Sequence, residues 1–221
     1  MKLFIDTLDL KEIVKYSELG IISGATTNPT FSKRFGMKDD IDTIEQVSTA
    51  LVNGGEIHVE AFGDTAEEII SEAYRISGKT ENVNNQIVYK IPFTMEGVKA
   101  TSILSKEGFK TNLHLIYTIN QAMLSLAARS TYICPLAGRL DDIGHDAIEN
   151  IKNMKMCFDK NFTFTPPEIM VSSVRNPQHV IQAAKIGADA ITVPPSVLSS
   201  MFQHPLTTNG FDTFKKDLEN M

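Results

Sequence analysis

Lys90 stands inside the apolar run Val88-Tyr89-Lys90-Ile91-Pro92. An ammonium among apolar neighbours is poorly solvated, which disfavours the charged form and lowers its pKa. At the unperturbed value of about 10.4, well under about 0.1% of a lysine amine is free at pH 7. Lowered toward about 7–8, the amine becomes a usable nucleophile for a carbonyl carbon. The iminium that results is an electron sink, so a neighbouring C–C bond can break without a metal or a cofactor. Carboxylates must then move protons, and Asp6 and Glu60 are the acids available, each closing a short apolar run. The same carboxylates favour the ammonium, so burial and charge pull the lysine in opposite directions.

Other polar residues fall in apolar runs. Asn112 and His114 are two apart, so in a strand they share a face. Ser173 ends another run, with Arg175 just beyond. Taken singly, each has an ordinary explanation: a strand-end acid that makes a turn, a lysine that snorkels to the rim, a satisfied interior histidine. His58, on Glu60's side of its run, reads as a packed or rim histidine. Taken together they are harder to dismiss, because buried ions need partners.

The elements that would position them alternate. Strands are expected at 2–6, 21–25, 56–61, 86–91, 109–116, 131–136, 168–173 and 189–193. Amphipathic helices lie between them. Asp9 with Glu12 and Thr65 with Glu68 look like capping boxes, and Asn176 precedes Pro177 at a helix start. Strict strand–helix alternation means parallel pairing, and eight units close into a single (β/α)8 TIM barrel over residues 1–221, with an extra C-terminal helix at 206–220. The polar strand ends would meet at the C-terminal mouth, where barrel enzymes keep their sites. An open doubly wound sheet is the runner-up, weakened by the lack of a GxGxxG or GxxxxGK[ST] loop.

Composition narrows the function classes. The 221 residues carry a net charge of −6, which argues against a nucleic-acid partner. No apolar run reaches about 18 residues, so no membrane span is expected. The N-terminus reaches an acid within MKLFID, unlike a signal peptide. Cys134 and Cys157 have neither zinc nor disulfide-framework spacing, which fits a reduced cytoplasm. DDIGHD at 141–146 has metal-like composition without paired-histidine spacing, so no metal is expected.

With these residues in view, the chain resembles the transaldolase family in its short form, which includes the fructose-6-phosphate aldolases. The matching stretches are FIDT at 4–7, GATTNPT at 24–30, VYKIPFT at 88–94, TN at 111–112, PLAGRLDDIGHD at 135–146, SSVRNP at 172–177 and ADAITVPP at 188–195. HPLTTNGFDTF at 204–214 adds to them. The resemblance implies that Lys90 forms the Schiff base, that Asp6 takes the hydroxyl proton beside the breaking bond, and that Glu60 works with a water. It implies that Asn28 and Asn112 hold substrate hydroxyls, with Thr27, His114 and Cys134 lining the same site. Arg139, Ser173 and Arg175 would hold the sugar phosphate. A physical argument supports Arg175, a bidentate donor just before a helix N-terminus. Without the resemblance, Arg139 could equally pair with Asp141 or Asp142.

Three positions depart from the family pattern. His114 stands where a small hydroxyl residue usually positions water, Cys134 where a serine is common, and Leu136 where an aromatic is usual. A histidine there adds pH sensitivity. The missing tyrosine and the glutamate at 60 point to a transaldolase that moves a dihydroxyacetone unit between sugar phosphates in the pentose phosphate pathway. An aldolase releasing dihydroxyacetone, and a sugar-phosphate-binding barrel without turnover, are the alternatives. The resemblance also implies a homo-oligomer, a pentamer or decamer, with the C-terminal helix on a neighbour.

Overall fold

The computed structural model describes residues 1–28, 30, 33, 41–80, 83, 86–160 and 164–220. Its strands are β1 (Lys2–Asp6), β2 (Gly24–Thr26), β3 (Glu56–Glu60), β4 (Ile87–Pro92), β5 (Thr111–Ile116), β6 (Tyr132–Pro135), β7 (Glu168–Val171) and β8 (Ala190–Val193). Each pairs in parallel with the next, and β8 pairs with β1, so the sheet closes into an eight-stranded barrel. Around it lie α1 (Leu10–Glu18), α2 (Ile41–Ala50), α3 (Ala66–Ser77), α4 (Met95–Lys106), α5 (Ile119–Ala127), α6 (Ala137–Asp141), α7 (Ala147–Asp159), α8 (Pro177–Lys185) and α9 (Pro195–Met201). A last helix, α10 (Pro205–Glu219), completes the chain. The fold is a TIM barrel, as the alternation implies. Among the described residues, no helix is long and apolar enough to cross a membrane.

The caps explain where the helices start. Thr65 and Glu68 form the expected capping box, and Asn176 accepts from the His179 amide with Pro177 in the first turn. Asp9 caps α1 by accepting from the Lys11 and Glu12 amides. The box expected from Asp9 and Glu12 is only half formed, because the Asp9 N–H already donates to the Thr7 hydroxyl at 3.0 Å. Glu12 pairs with Lys15 instead. The second strand starts at Gly24 rather than residue 21, and α6 is an additional short helix.

Each strand is buried on both faces, and alternation splits its residues between two cores. Ile5, Ile57, Val59, Tyr89, Ile91, Leu113, Ile133 and Ile191 join the helices in the outer core. Phe4, Val88, Tyr132, Cys134, Met170 and Ala190 form a separate cluster inside the barrel. The interior residues are stacked by the strand register in layers of four from alternate strands.

At the N-terminal end of the barrel, Lys2, Glu56, Lys110 and Glu168 form the first layer. Lys2 pairs with Glu168 and Lys110 with Glu56, both at 2.8 Å. The Tyr132 hydroxyl, one layer up, donates to Glu56 Oε2 at 2.6 Å and accepts from Lys2 Nζ at 2.9 Å. These contacts close the bottom of the barrel. Phe4, His58, Asn112 and Met170 lie above them. The top two layers are Thr26, Lys90, Cys134 and Thr192, then Asp6, Glu60, His114 and Ser172.

The close approach of β2 to β3 depends on a glycine. Gly24 has φ +155°, and a Cβ there would overlap the Glu56 carbonyl oxygen. Gly24→Ala is therefore expected to destabilise the chain by at least about 3 kcal/mol in urea unfolding, through strain and displaced pairing. An unchanged midpoint would contradict this account of the β2–β3 contact.

Candidate active site

Lys90 reaches up from the fourth strand into the top of the barrel, and only about 8% of its side chain is exposed. Its Nζ donates to the Thr27 carbonyl at 2.6 Å and lies 2.8 Å from Glu60 Oε1. The second Glu60 oxygen, Oε2, lies 3.0 Å from His114 Nε2. One carboxylate thus bridges the lysine and the imidazole. On the other side of the mouth, Asp6 Oδ1 accepts from the Thr26 hydroxyl at 2.8 Å, and that hydroxyl is 2.6 Å from the Thr192 hydroxyl.

The charges sort these groups by role. Burial pushes the Lys90 pKa down, but Glu60 foremost, with Cys134 and Asp6 behind it, pushes it up, and the net shift is upward. The resting side chain is an ammonium: of the two opposing effects the sequence leaves in balance, charge prevails over burial. Burial pushes the Glu60 carboxyl up, yet the Lys90 charge and His114 more than offset this and bring it down to about 2. Burial raises Asp6, and Lys90 with the Thr26 hydrogen bond only partly oppose it. Two carboxylates driven in opposite directions divide the work: Asp6 is the better base and Glu60 the standing counter-charge. Burial lowers His114 despite Glu60, with Lys90 and Arg139 acting the same way as burial, so the ring is neutral. Burial also raises Cys134, which sits beside Ser172 as a neutral thiol.

Backbone strain aims two of these positions. Leu115 has φ +60°, and the β5–β6 register shifts between His114 and Ile116. A bulge at that point re-aims the strand end just past His114. Ser173 has φ +57° between the last layer and Arg175. Left-handed conformations cost a non-glycine residue about 1–3 kcal/mol, and both occur at the mouth.

The anion-binding candidates lie around α6 and the start of α8. Gly138 leaves no room for a Cβ, because the Arg175 side chain and the Ser173 carbonyl press on it. Arg175 Nη2 donates to Asp142 Oδ2 at 2.8 Å, with both side chains more than half exposed. Such an exposed pair is weak and exchanges readily for a phosphate. The Arg175 amide donates to His179 Nδ1, whose Nε2 lies 3.1 Å from Asp141. Asp141 and Asp142 are therefore engaged elsewhere, and Arg139 is exposed with its charge acting on His114.

The structure brings Lys90, Asp6, Glu60, His114 and Cys134 together. Thr27 contributes its carbonyl to Lys90, while its hydroxyl donates to the His58 carbonyl at 3.1 Å, so the side chain is spent within the wall. Asn28 comes next in the chain, partly exposed. Asn112 is fully buried beneath Lys90. Ser173 lies past the strand and gives its carbonyl to the Gly138 amide; the serine in the interior layer is Ser172. Ser172, Thr26 and Thr192 were legible only as alternate positions of their strands.

Glu60's depressed pKa fixes a pH dependence. A group with a lowered folded-state pKa stabilises the fold above its unfolded value and loses that contribution as pH falls. The Glu60 contribution should be complete above about 4.5 and fade toward about pH 2. The stability difference between the unaltered chain and Glu60→Gln, from urea unfolding, should shrink across that window. Above it, Glu60→Gln should also titrate Lys90 at lower pH in a lysine NMR experiment. A difference independent of pH would contradict the ion pair.

The sequence model described as Transaldolase/Fructose-6-phosphate aldolase matches residues 3–221. A protein of Thermoanaerobacter sp. (strain X514) named probable transaldolase is 44% identical over 217 residues, covering 98% of this chain and 96% of its own. One of the same name from Geobacter sulfurreducens is 44% identical over 221 residues, covering 100% and 99%. Among solved structures, a putative phosphonomutase from Burkholderia cenocepacia J2315 superposes with a TM-score of 0.60 at 11% identity, covering 100% of this chain and 93% of that one. That likeness speaks for the fold alone. The chain belongs to the transaldolase/fructose-6-phosphate aldolase family.

Proposed function

We propose that the chain is a transaldolase that carries a dihydroxyacetone unit from a ketose phosphate to an aldose phosphate through an iminium on Lys90. The donors are fructose 6-phosphate or sedoheptulose 7-phosphate, the acceptors erythrose 4-phosphate or glyceraldehyde 3-phosphate, and the setting is the cytoplasmic pentose phosphate pathway. One observation carries the reading: a buried lysine 2.8 Å from one carboxylate, with a second, more basic carboxylate at the same barrel mouth.

The charges set the order of events. The ammonium gives up one proton as the ketone approaches, relayed by Glu60 and a water toward the ketone oxygen, and the freed amine attacks the carbonyl carbon. Across this step the ammonium and the ketone become an iminium and one water, so two protons pass from nitrogen to the departing oxygen and the carboxylate returns to its starting state. The neutral His114, on the far oxygen of Glu60, occupies the place from which that water is handled. Asp6 then takes the hydroxyl proton beside the breaking C–C bond. The aldose phosphate leaves, and the enamine meets either a second aldehyde or water. Arg175 and Arg139 hold the phosphate, with Asp142 released from Arg175 when it binds.

Glu60 and the buried aliphatic Leu136 favour transfer over release of dihydroxyacetone. The C-terminal helix buries none of its residues, and Leu206, Phe211, Phe214 and Leu218 are about 70% exposed. That face is the natural contact for further copies of the chain in a homo-oligomer.

The test is a coupled assay of fructose 6-phosphate with and without erythrose 4-phosphate. Product should form only with the acceptor; steady dihydroxyacetone release without it would favour the aldolase. Lys90→Met should abolish transfer while inorganic phosphate still binds by calorimetry. Asp6→Asn should slow C–C cleavage by about 100-fold or more, the usual scale for a lost general base, and slow Schiff-base formation much less. Undiminished cleavage in that variant would overturn the role of Asp6.

A further inference from the structure

The layer beneath Lys90 holds an ionisable side chain that has no part in this chemistry. His58 is fully buried in the layer beneath Lys90, its ring centroid 5.0 Å from those of both Phe4 and Tyr132 in edge-on contacts. Burial, then the charges of Lys90, Lys2 and Lys110, hold its pKa well below the ordinary histidine value. A neutral imidazole carries one N–H and one bare nitrogen. The charge below decides which is which. His58 Nε2 makes no hydrogen bond among the described residues; the anion it faces is Glu56, whose Oε2 lies 4.0 Å away and which is pinned by Lys110 at 2.8 Å and by the Tyr132 hydroxyl at 2.6 Å. A carboxylate favours the N–H on the side that faces it. Nδ1 is then an acceptor.

Asn112 Nδ2 lies 3.0 Å from that Nδ1, so the amide must turn its NH2 toward the histidine. The same Nδ2 is 4.0 Å from Met170 Sδ, a weak acceptor, which agrees. The amide oxygen is left over: Asn112 Oδ1 is buried without a hydrogen-bond partner among the described residues. Asn112 is the register neighbour of Lys90 across β4 and β5. A buried acceptor without a donor is unfavourable, and a hydroxyl proton brought to the site would relieve it.

We propose that His58 is a positioning residue. With Glu56 behind it, it locks the Asn112 amide with the oxygen unspent, so the floor beneath the reactive nitrogen accepts from a hydroxyl and offers no donor to an anion. A hydroxyketone suits such a floor. A 2-oxo acid, which would bring a carboxylate to it, does not. The proposal rests on the Schiff-base reading above.

Nitrogen NMR of the unaltered chain tests the lock without substrate. His58 should be neutral near pH 7, with Nε2–H and a bare Nδ1. A proton on Nδ1, or a charged ring, overturns the proposal. Kinetics test its consequence. His58→Phe keeps an aromatic ring but removes the acceptor, and should lower kcat for transfer by about tenfold with KM within about threefold, because the bound geometry loosens. Borohydride should still trap fructose 6-phosphate on Lys90, and pyruvate should become trappable as well. His58→Gln, whose amide oxygen can replace Nδ1, should stay within about threefold of the unaltered rate. In an Asn112→Ala background His58→Phe should add nothing, since the two act as a unit. A merely structural histidine would lower the active fraction for both ketones equally and leave their ratio unchanged; that result overturns the proposal alone. If His58→Phe does not fold, the NMR state and the His58→Gln rate decide the matter. Failure to trap any adduct on the unaltered chain overturns the Schiff-base reading and this proposal together.

Discussion

A single positive charge held inside a closed ring of strands is the constraint on which the rest of the molecule depends. Lys90 is almost wholly buried, and an ammonium there survives only because Glu60 and Asp6 supply the charge that water would otherwise screen. The cost of that arrangement is a resting amine that cannot attack. In the proposed reaction the benefit would come with the iminium, which would carry the same unit of charge in the same place. A site that stabilises the ammonium would therefore stabilise that proposed intermediate too. Only a free amine between the two would lack that support, and Glu60 lies between lysine and imidazole, 2.8 Å from one and 3.0 Å from the other.

The fold supplies this by alternation. Every second residue of each strand enters the barrel, and the interior grades from an ion-paired plug of Lys2, Glu56, Lys110 and Glu168, through rings and thioether, to the acids and lysine at the other mouth. The polar residues are not scattered through an apolar interior. They occupy the ends, where each finds a partner, with His58 and Asn112 the one polar pair at mid-height among the described residues. The strained backbone at Leu115 and Ser173 lies at the upper end as well, where side chains must be aimed rather than merely packed.

Much of this is legible in the chain itself. Lys90 between Val88 and Ile91, and Asn112 two residues from His114, announce polar groups on a buried face, and eight strand–helix units leave little choice but a barrel. What escapes the sequence is set by distance across the interior. Whether Lys90 is charged depends on Glu60, thirty residues away in sequence but 2.8 Å away in space. Whether Ser172 or Ser173 faces inward depends on where β7 ends, and one residue of phase reverses the answer. Which end of the Asn112 amide is left for a substrate hydroxyl depends on His58, which claims its nitrogen through a contact that no spacing rule links to residue 112. The anionic neighbours of Arg175 and Arg139 are equally ambiguous: Asp142 goes to Arg175 and Asp141 to His179, because α8 starts where it does.

The most direct test of a covalent role for the buried lysine is peptide mass analysis after incubation with fructose 6-phosphate and borohydride. The account predicts one added reduced dihydroxyacetone unit, confined to the peptide carrying Lys90. An unmodified Lys90, or the same mass on a surface lysine such as Lys99, would contradict it.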